Sequence, residues 1–234
     1  MKTLSLAKTA TLVLLTQVAL TAHAGRPLGT DDAGTVGANK CQLESWVDRD
    51  TTNGANKLVV SPACGLGDAV EIGLELARTV PDERISFEST LALKWVDPEW
   101  KSGPLNWGAK VWHGASNGRD TPRWNDTSTG AMALLTWKAH EVLDVHTNLG
   151  FVNDHASGNT EPLLNLALSW TPQPSLTLIA ERLAVRNSPI QYNVGARWWL
   201  QAERLALDVT LGRTNDVTPV QNVTVGFGWY GIGW

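Results

Sequence analysis

The sequence predicts a single antiparallel transmembrane β-barrel of about twelve strands. Three observations lead to this fold class: an export signal at the N terminus, an odd-even alternation of apolar and polar residues from residue 40 onward, and links that alternate between short and long. In a bilayer every backbone donor and acceptor needs a partner within the protein, so a membrane-embedded sheet has to close on itself.

Residues 1–24 have the three-part layout of a cleaved signal peptide. Lys2 and Lys8 precede an apolar core from Thr11 to Leu20, which is much shorter than the roughly 20 residues of a membrane-spanning helix. Residues 25–39 are rich in glycine and predict a flexible N-terminal segment, on the periplasmic side or just inside the barrel mouth. The barrel is expected over residues 40–234.

Charge and composition exclude some kinds of site and favour a membrane protein. Without the two leader lysines, 17 basic side chains face 23 acidic ones, a scattered charge of −6 that excludes a nucleic-acid footprint. The histidines show no metal-ligand spacing, so neither a metal nor a cofactor is predicted. Twelve tryptophans against three phenylalanines and two tyrosines favour aromatic girdles at the two lipid-water boundaries. A tryptophan-rich soluble core is the alternative.

Strands follow from period-two alternation, which is clearest from Val70 to Ala77. The predicted strands lie near residues 40–49, 57–64, 69–78, 85–96, 105–114, 127–139, 142–152, 162–171, 175–186, 190–200, 204–214 and 223–234.

The links indicate the orientation of these strands. Most even-numbered links, such as Ala139-His140-Glu141, are very short, whereas odd-numbered links such as Ala115 to Asp126 and Asn153 to Glu161 are longer and polar. Outer-membrane barrels keep short turns in the periplasm and long loops outside, so the sequence predicts this location, with membrane lipid as a partner. The last strand ends on Trp234, which resembles the signal read by the barrel-assembly machinery.

Cys41 and Cys64 are predicted to form a disulfide, because an even cysteine count in an exported chain favours pairing. If Asp50 to Asn56 form the first hairpin tip, these two cysteines lie directly opposite each other.

The polar face is modest and dotted with glycine, which suits an enclosed lumen better than a water-facing sheet. Whether the residues on this face brace a plugged interior or line a pore stays open at this point. The residues predicted to line the lumen are Glu44, Glu71, Glu75, Glu88, Lys94, Lys110, Lys138, Asp144, His146, Arg197 and Asp208.

One segment suggests enzymatic chemistry. His113 and Ser116, with Asn125 further on, locally resemble the His-x-Ser-Asn-Gly segment of outer-membrane phospholipase A and lipid A deacylases, in which a histidine activates a serine at the outer rim. The spacing here is His-x-x-Ser, so a regular strand sends the two side chains to opposite faces unless a β-bulge intervenes. Alternatively, Ser116-Asn117-Gly118 simply opens a loop.

Several longer stretches resemble one family. Arg26 to Ala33 leading into Cys41 to Trp46, then Gln191 to Leu200 and Leu207 to Arg213, are similar to a group of proteobacterial outer-membrane transporter-like barrels, linked by name to a phenol-degradation (MetA) pathway. The resemblance implies a porin-like or transporter role without an assigned substrate, and it brings no catalytic residues.

Three functions are therefore carried forward. The first is passage or binding of small molecules, hydrophobic ones included. The second is a lipid hydrolase at the outer rim, and the third is a structural barrel with a plugged lumen.

Overall fold

A computed structural model describes residues 28–80, 86–100, 103–118 and 121–234. Within these ranges the chain forms twelve antiparallel strands in sequential order, and β1 pairs with β12 to close the barrel. The strands are β1 Lys40–Asp50, β2 Asn56–Gly65, β3 Val70–Val80, β4 Ser86–Val96, β5 Leu105–Gly118, β6 Thr121–His140, β7 Leu143–Asp154, β8 Asn159–Gln173, β9 Leu176–Leu183, β10 Gln191–Gln201, β11 Leu205–Thr214 and β12 Gln221–Gly233.

The signal peptide predicted over residues 1–24 lies outside the described residues. In the part of the chain that the structure does describe, no helix is long and apolar enough to span a membrane.

One predicted loop is wrong in its extent. The sequence predicts a loop from Ala115 to Asp126, but β5 continues to Gly118 and β6 begins at Thr121. The polar residues that suggested a loop instead extend a hydrogen-bonded ladder, because exposed polar side chains are as compatible with a strand beyond an apolar belt as with a loop.

The outer surface of the barrel is apolar. Leu149, Val194, Leu211 and Val225 all lie on strands and expose more than half of their surface. A soluble sandwich would bury such side chains between two sheets, so the closed barrel confirms the predicted fold class.

Tryptophan gathers at the end of the barrel that carries the short turns. Trp95 and Trp107 meet there edge to face, with ring centroids 5.1 Å apart. The opposite end carries Phe87, Phe151 and Tyr192, together with Trp124 near the start of β6. Aromatic rings therefore border both ends of the apolar surface, and the tryptophan-rich soluble core is wrong. The outward tryptophans of this girdle are Trp95, Trp107, Trp137, Trp170, Trp198 and Trp229.

A disulfide joins the first two strands near the same end. Cys41 lies directly opposite Cys64 in the β1–β2 register, with a Cα–Cα distance of 4.1 Å. The predicted bond is confirmed.

Candidate functional site: the barrel interior

The N-terminal segment, defined here as residues 28–39, runs inside the barrel. Its C-terminal end lies beside β2, where Ala38 and Gly65 form an isolated parallel bridge. Further in, Val36 donates its backbone N–H to the Glu71 carboxylate on β3 at 2.9 Å. The sequence predicts a flexible segment here, whereas the structure supplies its backbone with partners on the inner wall.

The segment reaches the opposite wall at Glu181 on β9. This buried carboxylate accepts the backbone N–H groups of Gly29 and Thr30, each at 2.9 Å, and the Thr30 hydroxyl at 2.9 Å. Asn193 on β10 donates to its other oxygen at 2.7 Å. Since backbone amides satisfied by an ionised carboxylate make stronger hydrogen bonds than neutral pairs, Glu181 anchors the start of the segment.

Neutral side chains hold the middle of the segment. Asn148 on β7 accepts the Asp31 backbone N–H and donates to the Asp31 carbonyl, both at 2.8 Å. Ala33 donates its N–H to the Thr136 hydroxyl on β6 at 2.9 Å. The segment therefore makes hydrogen bonds to β3, β6, β7 and β9, which span the wall from β3 to β9.

The aspartates of the segment pair with lysines of the wall. Lys94 on β4 lies 3.3 Å from Asp31, 3.5 Å from Asp32 and 3.8 Å from Glu71, and Lys110 on β5 lies 2.7 Å from Asp31. Burial alone would raise the pKa of Asp31, but the charges of Lys110 and Lys94 outweigh it and lower that pKa to about 2. Asp31 is thus ionised at neutral pH.

A second network joins β10, β11 and β12 to β1. Arg197 makes a bidentate ion pair with Asp208 at 2.8 and 3.0 Å, and its guanidinium lies 3.7 Å from Glu44. The Tyr230 hydroxyl donates to Glu44 at 2.6 Å. The guanidinium also sits over the Trp199 and Tyr230 rings at 5.2 and 5.1 Å. Such a network fixes four strands relative to one another, because each buried polar group in it has a charged or hydrogen-bonding partner on another strand.

A cavity of roughly 210 Å³ remains between the segment and the wall formed by β1–β5. Its lining is mostly polar and includes Asp31, Glu44, Glu75, Thr90 and Lys110. The other side of the interior is filled by apolar side chains, namely Ala33, Met132, Leu134 and Leu163 with Trp112 and Val185. Beside the segment the open volume therefore lies toward β1–β5, and a second cavity of roughly 350 Å³ is lined by residues of β6–β8 and of the link after β9.

The predicted lumen residues divide by burial. Six are buried: Glu44, Glu71, Lys94, His146, Arg197 and Asp208. Five are half-buried: Glu75, Glu88, Lys110, Lys138 and Asp144. The structure brings Glu71 and Lys94 together, and likewise Glu44, Arg197 and Asp208. His146 contacts neutral hydroxyls, those of Thr136 and Ser169, at 3.0 and 3.2 Å.

Sequence reasoning placed the segment on the periplasmic side or just inside the barrel mouth, and it missed the course of the segment across the interior. Asp31 and Asp32 follow no strand alternation, so period two could not place them. Glu181 had a signal: it is the first charged residue after a long uncharged run from Pro162 to Ala180, on a strand whose alternation turns it inward.

The structure does not bring His113 and Ser116 together. His113 lies opposite Leu91 and Thr129, which are exposed on the outer face, whereas Ser116 lies opposite Glu88 and Asn125. In regular strands a separation of three residues reverses the face, so the histidine and the serine point to opposite sides. The Asn125 amide donates instead to the Arg123 carbonyl at 3.1 Å.

A bulge does occur beside His113, but on the neighbouring strand. The register of β5 and β6 skips Thr127, which brings Asp126 and Thr129 to the same outer face. His113 lies 3.1 Å from Asp126 and 3.2 Å from Thr129, and His155 lies 3.0 Å from the same threonine hydroxyl. His113 therefore belongs to an exposed polar cluster.

A protein-family model described as "Uncharacterised conserved protein UCP029691" matches residues 10–228. The chain belongs to this family. A comparison with curated proteins finds no match.

Solved structures share the architecture at low sequence identity. A structure of the KdgM porin is 10% identical with a TM-score of 0.63, covering 80% of this chain and 98% of that one. A NanC porin structure is 9% identical with a TM-score of 0.62, covering 81% and 100%. The outer membrane phospholipase A from Escherichia coli is 12% identical with a TM-score of 0.52, covering 91% and 96%. These likenesses show the fold of outer-membrane barrels.

Proposed function

We propose that this protein lies in the bacterial outer membrane and that small molecules pass through or bind in its lumen, between the N-terminal segment and the inner wall. The cavity of roughly 210 Å³ beside that segment carries the proposal, since it is polar and is surrounded by a wall whose outside is apolar. A polar interior inside an apolar exterior is the arrangement of barrels that admit solutes across a bilayer.

The orientation follows from the turns. Short links belong to the periplasmic side, so the N-terminal segment enters from the periplasm and the long hairpins face outward. Membrane lipid then covers the apolar face, and the strand ending at Trp234 offers the assembly machinery its signal.

The similarity in fold to two porins supports a transport role in general terms. KdgM and NanC are named as porins, and we extend that role to this chain. We also propose that the chain belongs with the proteobacterial transporter-like barrels linked by name to phenol degradation, so that hydrophobic small molecules are among the solutes to test.

The two other candidate functions are less well supported. A hydrolase using His113 and Ser116 needs both side chains on one face, and the β5 register separates them. A purely structural barrel with a plugged lumen is an outcome of the experiment below.

The deciding experiment is single-channel recording of the purified protein in planar bilayers, with folding verified by heat-modifiable gel migration. We expect discrete conductance steps from the wild-type protein and larger steps from Glu181→Ala, because that change removes the anchor of the segment. Folded protein that gives no current in either form would overturn the proposal and favour the structural barrel.

A further inference from the structure

We propose that the lumen selects cations over anions and that its cargo is positively charged, as small protonated amines are. This inference rests on the proposed function, because it names the substrate class of the same interior. It is carried by the charge balance of the inner wall, by the pairing of both lysines that line the cavity, and by a cavity-lining carboxylate that has no partner among the described residues.

The interior carries an excess of carboxylates. Among the predicted lumen residues, six are carboxylates and four are lysine or arginine. The described structure adds the carboxylates of Asp31, Asp32, Asp48 and Glu181, and one more cation, Lys57. Ten carboxylates then face five basic side chains, a formal charge of −5 at neutral pH. A pathway with low-dielectric walls focuses such a field and concentrates ions of the opposite sign.

Two lysines of the wall are paired with carboxylates. Lys94 faces three carboxylates within 3.8 Å, and Lys57 lies 2.7 Å from Glu88. Lys138 lies opposite Asp144 in the β6–β7 register and makes no ion pair among the described residues. An anionic solute would have to displace one of these carboxylates to reach Lys94 or Lys57.

Lys110 and Arg197 are also paired with carboxylates. Lys110 lies 2.7 Å from Asp31, and Arg197 holds Asp208 with two hydrogen bonds while approaching Glu44 at 3.7 Å. Both basic side chains that line the cavity, Lys94 and Lys110, are therefore paired with carboxylates.

Several carboxylates, in contrast, have only neutral partners or none. Asp48 accepts from Asn222 and Thr224, and Glu181 accepts from backbone amides, a hydroxyl and an amide group. Glu75 lines the cavity and, among the described residues, has neither an ion pair nor a hydrogen bond. These groups retain a net negative charge that a passing cation can neutralise.

The cargo proposed here differs in charge from a ligand described for a structural neighbour. A KdgM structure is described as a complex with disordered oligogalacturonate, a polyanion, and is 10% identical to this chain. A lumen with an excess of carboxylates would repel such a ligand, so the shared fold does not carry a shared cargo.

The test measures reversal potentials of the full-length protein in planar bilayers across a KCl gradient. We expect the sign that marks K⁺ as the more permeant ion. Glu75→Gln should lower the K⁺/Cl⁻ permeability ratio about twofold, the effect of one charge about 8 Å away in a water-like medium. Glu141→Gln, the same chemical change in an exposed turn, should leave the ratio unchanged.

Spermidine and citrate then provide a matched pair of trivalent probes. We expect spermidine to reduce the K⁺ current and citrate to leave it unchanged. An equal or anion-preferring reversal potential, or block by citrate alone, would overturn the inference while leaving passage itself intact. The absence of any current from folded protein would instead overturn the proposed function.

Discussion

Glu181 accepts both the backbone N–H and the side-chain hydroxyl of Thr30, each at 2.9 Å, so a single carboxylate on β9 fixes the N-terminal segment across the barrel from its entry beside β2. The position of this segment determines how much of the lumen is open. Three of the predictions below test how the segment is held.

Replacing the anchor should loosen the segment. Glu181→Ala leaves two backbone amides and an asparagine amide without their acceptor, and we expect the free energy of unfolding to fall by about 3 kcal/mol. Urea titration followed by tryptophan fluorescence measures this loss. Glu161→Ala is the matched control, because its carboxylate accepts one exposed hydrogen bond from Asn187. Equal stability of the two variants would contradict the anchoring role.

Gly65 should tolerate no side chain. A Cβ atom there would collide with the Gly37 carbonyl, since the segment passes directly over β2 at this point. We expect Gly65→Ala to destabilise the protein by about 1–3 kcal/mol. Gly67→Ala, two residues away and facing open space, should change stability by less than about 0.5 kcal/mol. If both variants unfold at the wild-type urea concentration, the close approach of the segment is wrong.

Asp31 should make the stability of the folded protein depend on pH in the acidic range. Its pKa falls from the ordinary 3.8 to about 2 in the folded protein, because Lys110 and Lys94 outweigh the opposing effect of burial. A lowered carboxylate pKa contributes stability that is fully present above pH 3.8 and is lost as the pH falls to about 2. The shift corresponds to about 2 kcal/mol.

The measurement is the difference in unfolding free energy between wild type and Asp31→Asn at several pH values. We expect wild type to be the more stable protein at pH 7 and the difference to shrink below pH 4. Asp216→Asn, in an exposed loop, serves as the control and should show no such trend. A difference independent of pH would refute the ion pairing.

The disulfide should stabilise the first hairpin. Cys41 and Cys64 are 23 positions apart in the sequence. For a loop of this length, the lost chain entropy of the unfolded state stabilises the folded protein by about 3 kcal/mol. The double variant Cys41→Ser, Cys64→Ser should therefore unfold at lower urea concentration. Alkylation of the unreduced, unfolded protein followed by mass measurement should find no free thiol in wild type, and a doubly alkylated product would show that the bond is absent.

The lipid-facing surface should reject charge. Leu149 is 61% exposed in the middle of β7, and an arginine there would enter the hydrocarbon region at a cost of about 2–4 kcal/mol. Val217→Arg, at a fully exposed loop position, should cost almost nothing. The free energy of unfolding of each variant refolded into lipid vesicles, measured by urea titration, distinguishes the two substitutions. Since exposed leucines of water-soluble proteins accept arginine readily, equal stabilities would contradict a membrane setting.

Much of the architecture was predictable because it depends on local alternation. Val70 to Ala77 reads as a strand without any knowledge of its neighbours, and a hairpin tip at Asp50 to Asn56 is sufficient to pair Cys41 with Cys64. Each of these inferences needs only contacts between adjacent strands. Register within a hairpin follows from where the turn lies.

The exposed polar cluster around His113 could not be predicted in this way. The sequence indicates that only a β-bulge would bring His113 and Ser116 to one face, but it does not show which strand bulges. Thr127 on β6 is skipped, so His113 meets Asp126 and Thr129 and not Ser116. A bulge depends on how two ladders fit together, and the strand alone does not carry that information.

The sequence by itself determined the number of strands, the sides they turn to lipid and to the lumen, and the disulfide, because a period of two fixes which face each residue occupies. Only the tertiary structure decided that residues 28–39 cross the lumen, with Asp31 meeting Lys94 and Lys110 and Thr30 meeting Glu181. Those partners are separated by 63 to 151 positions, and they become neighbours only when the last strand closes the barrel around the segment.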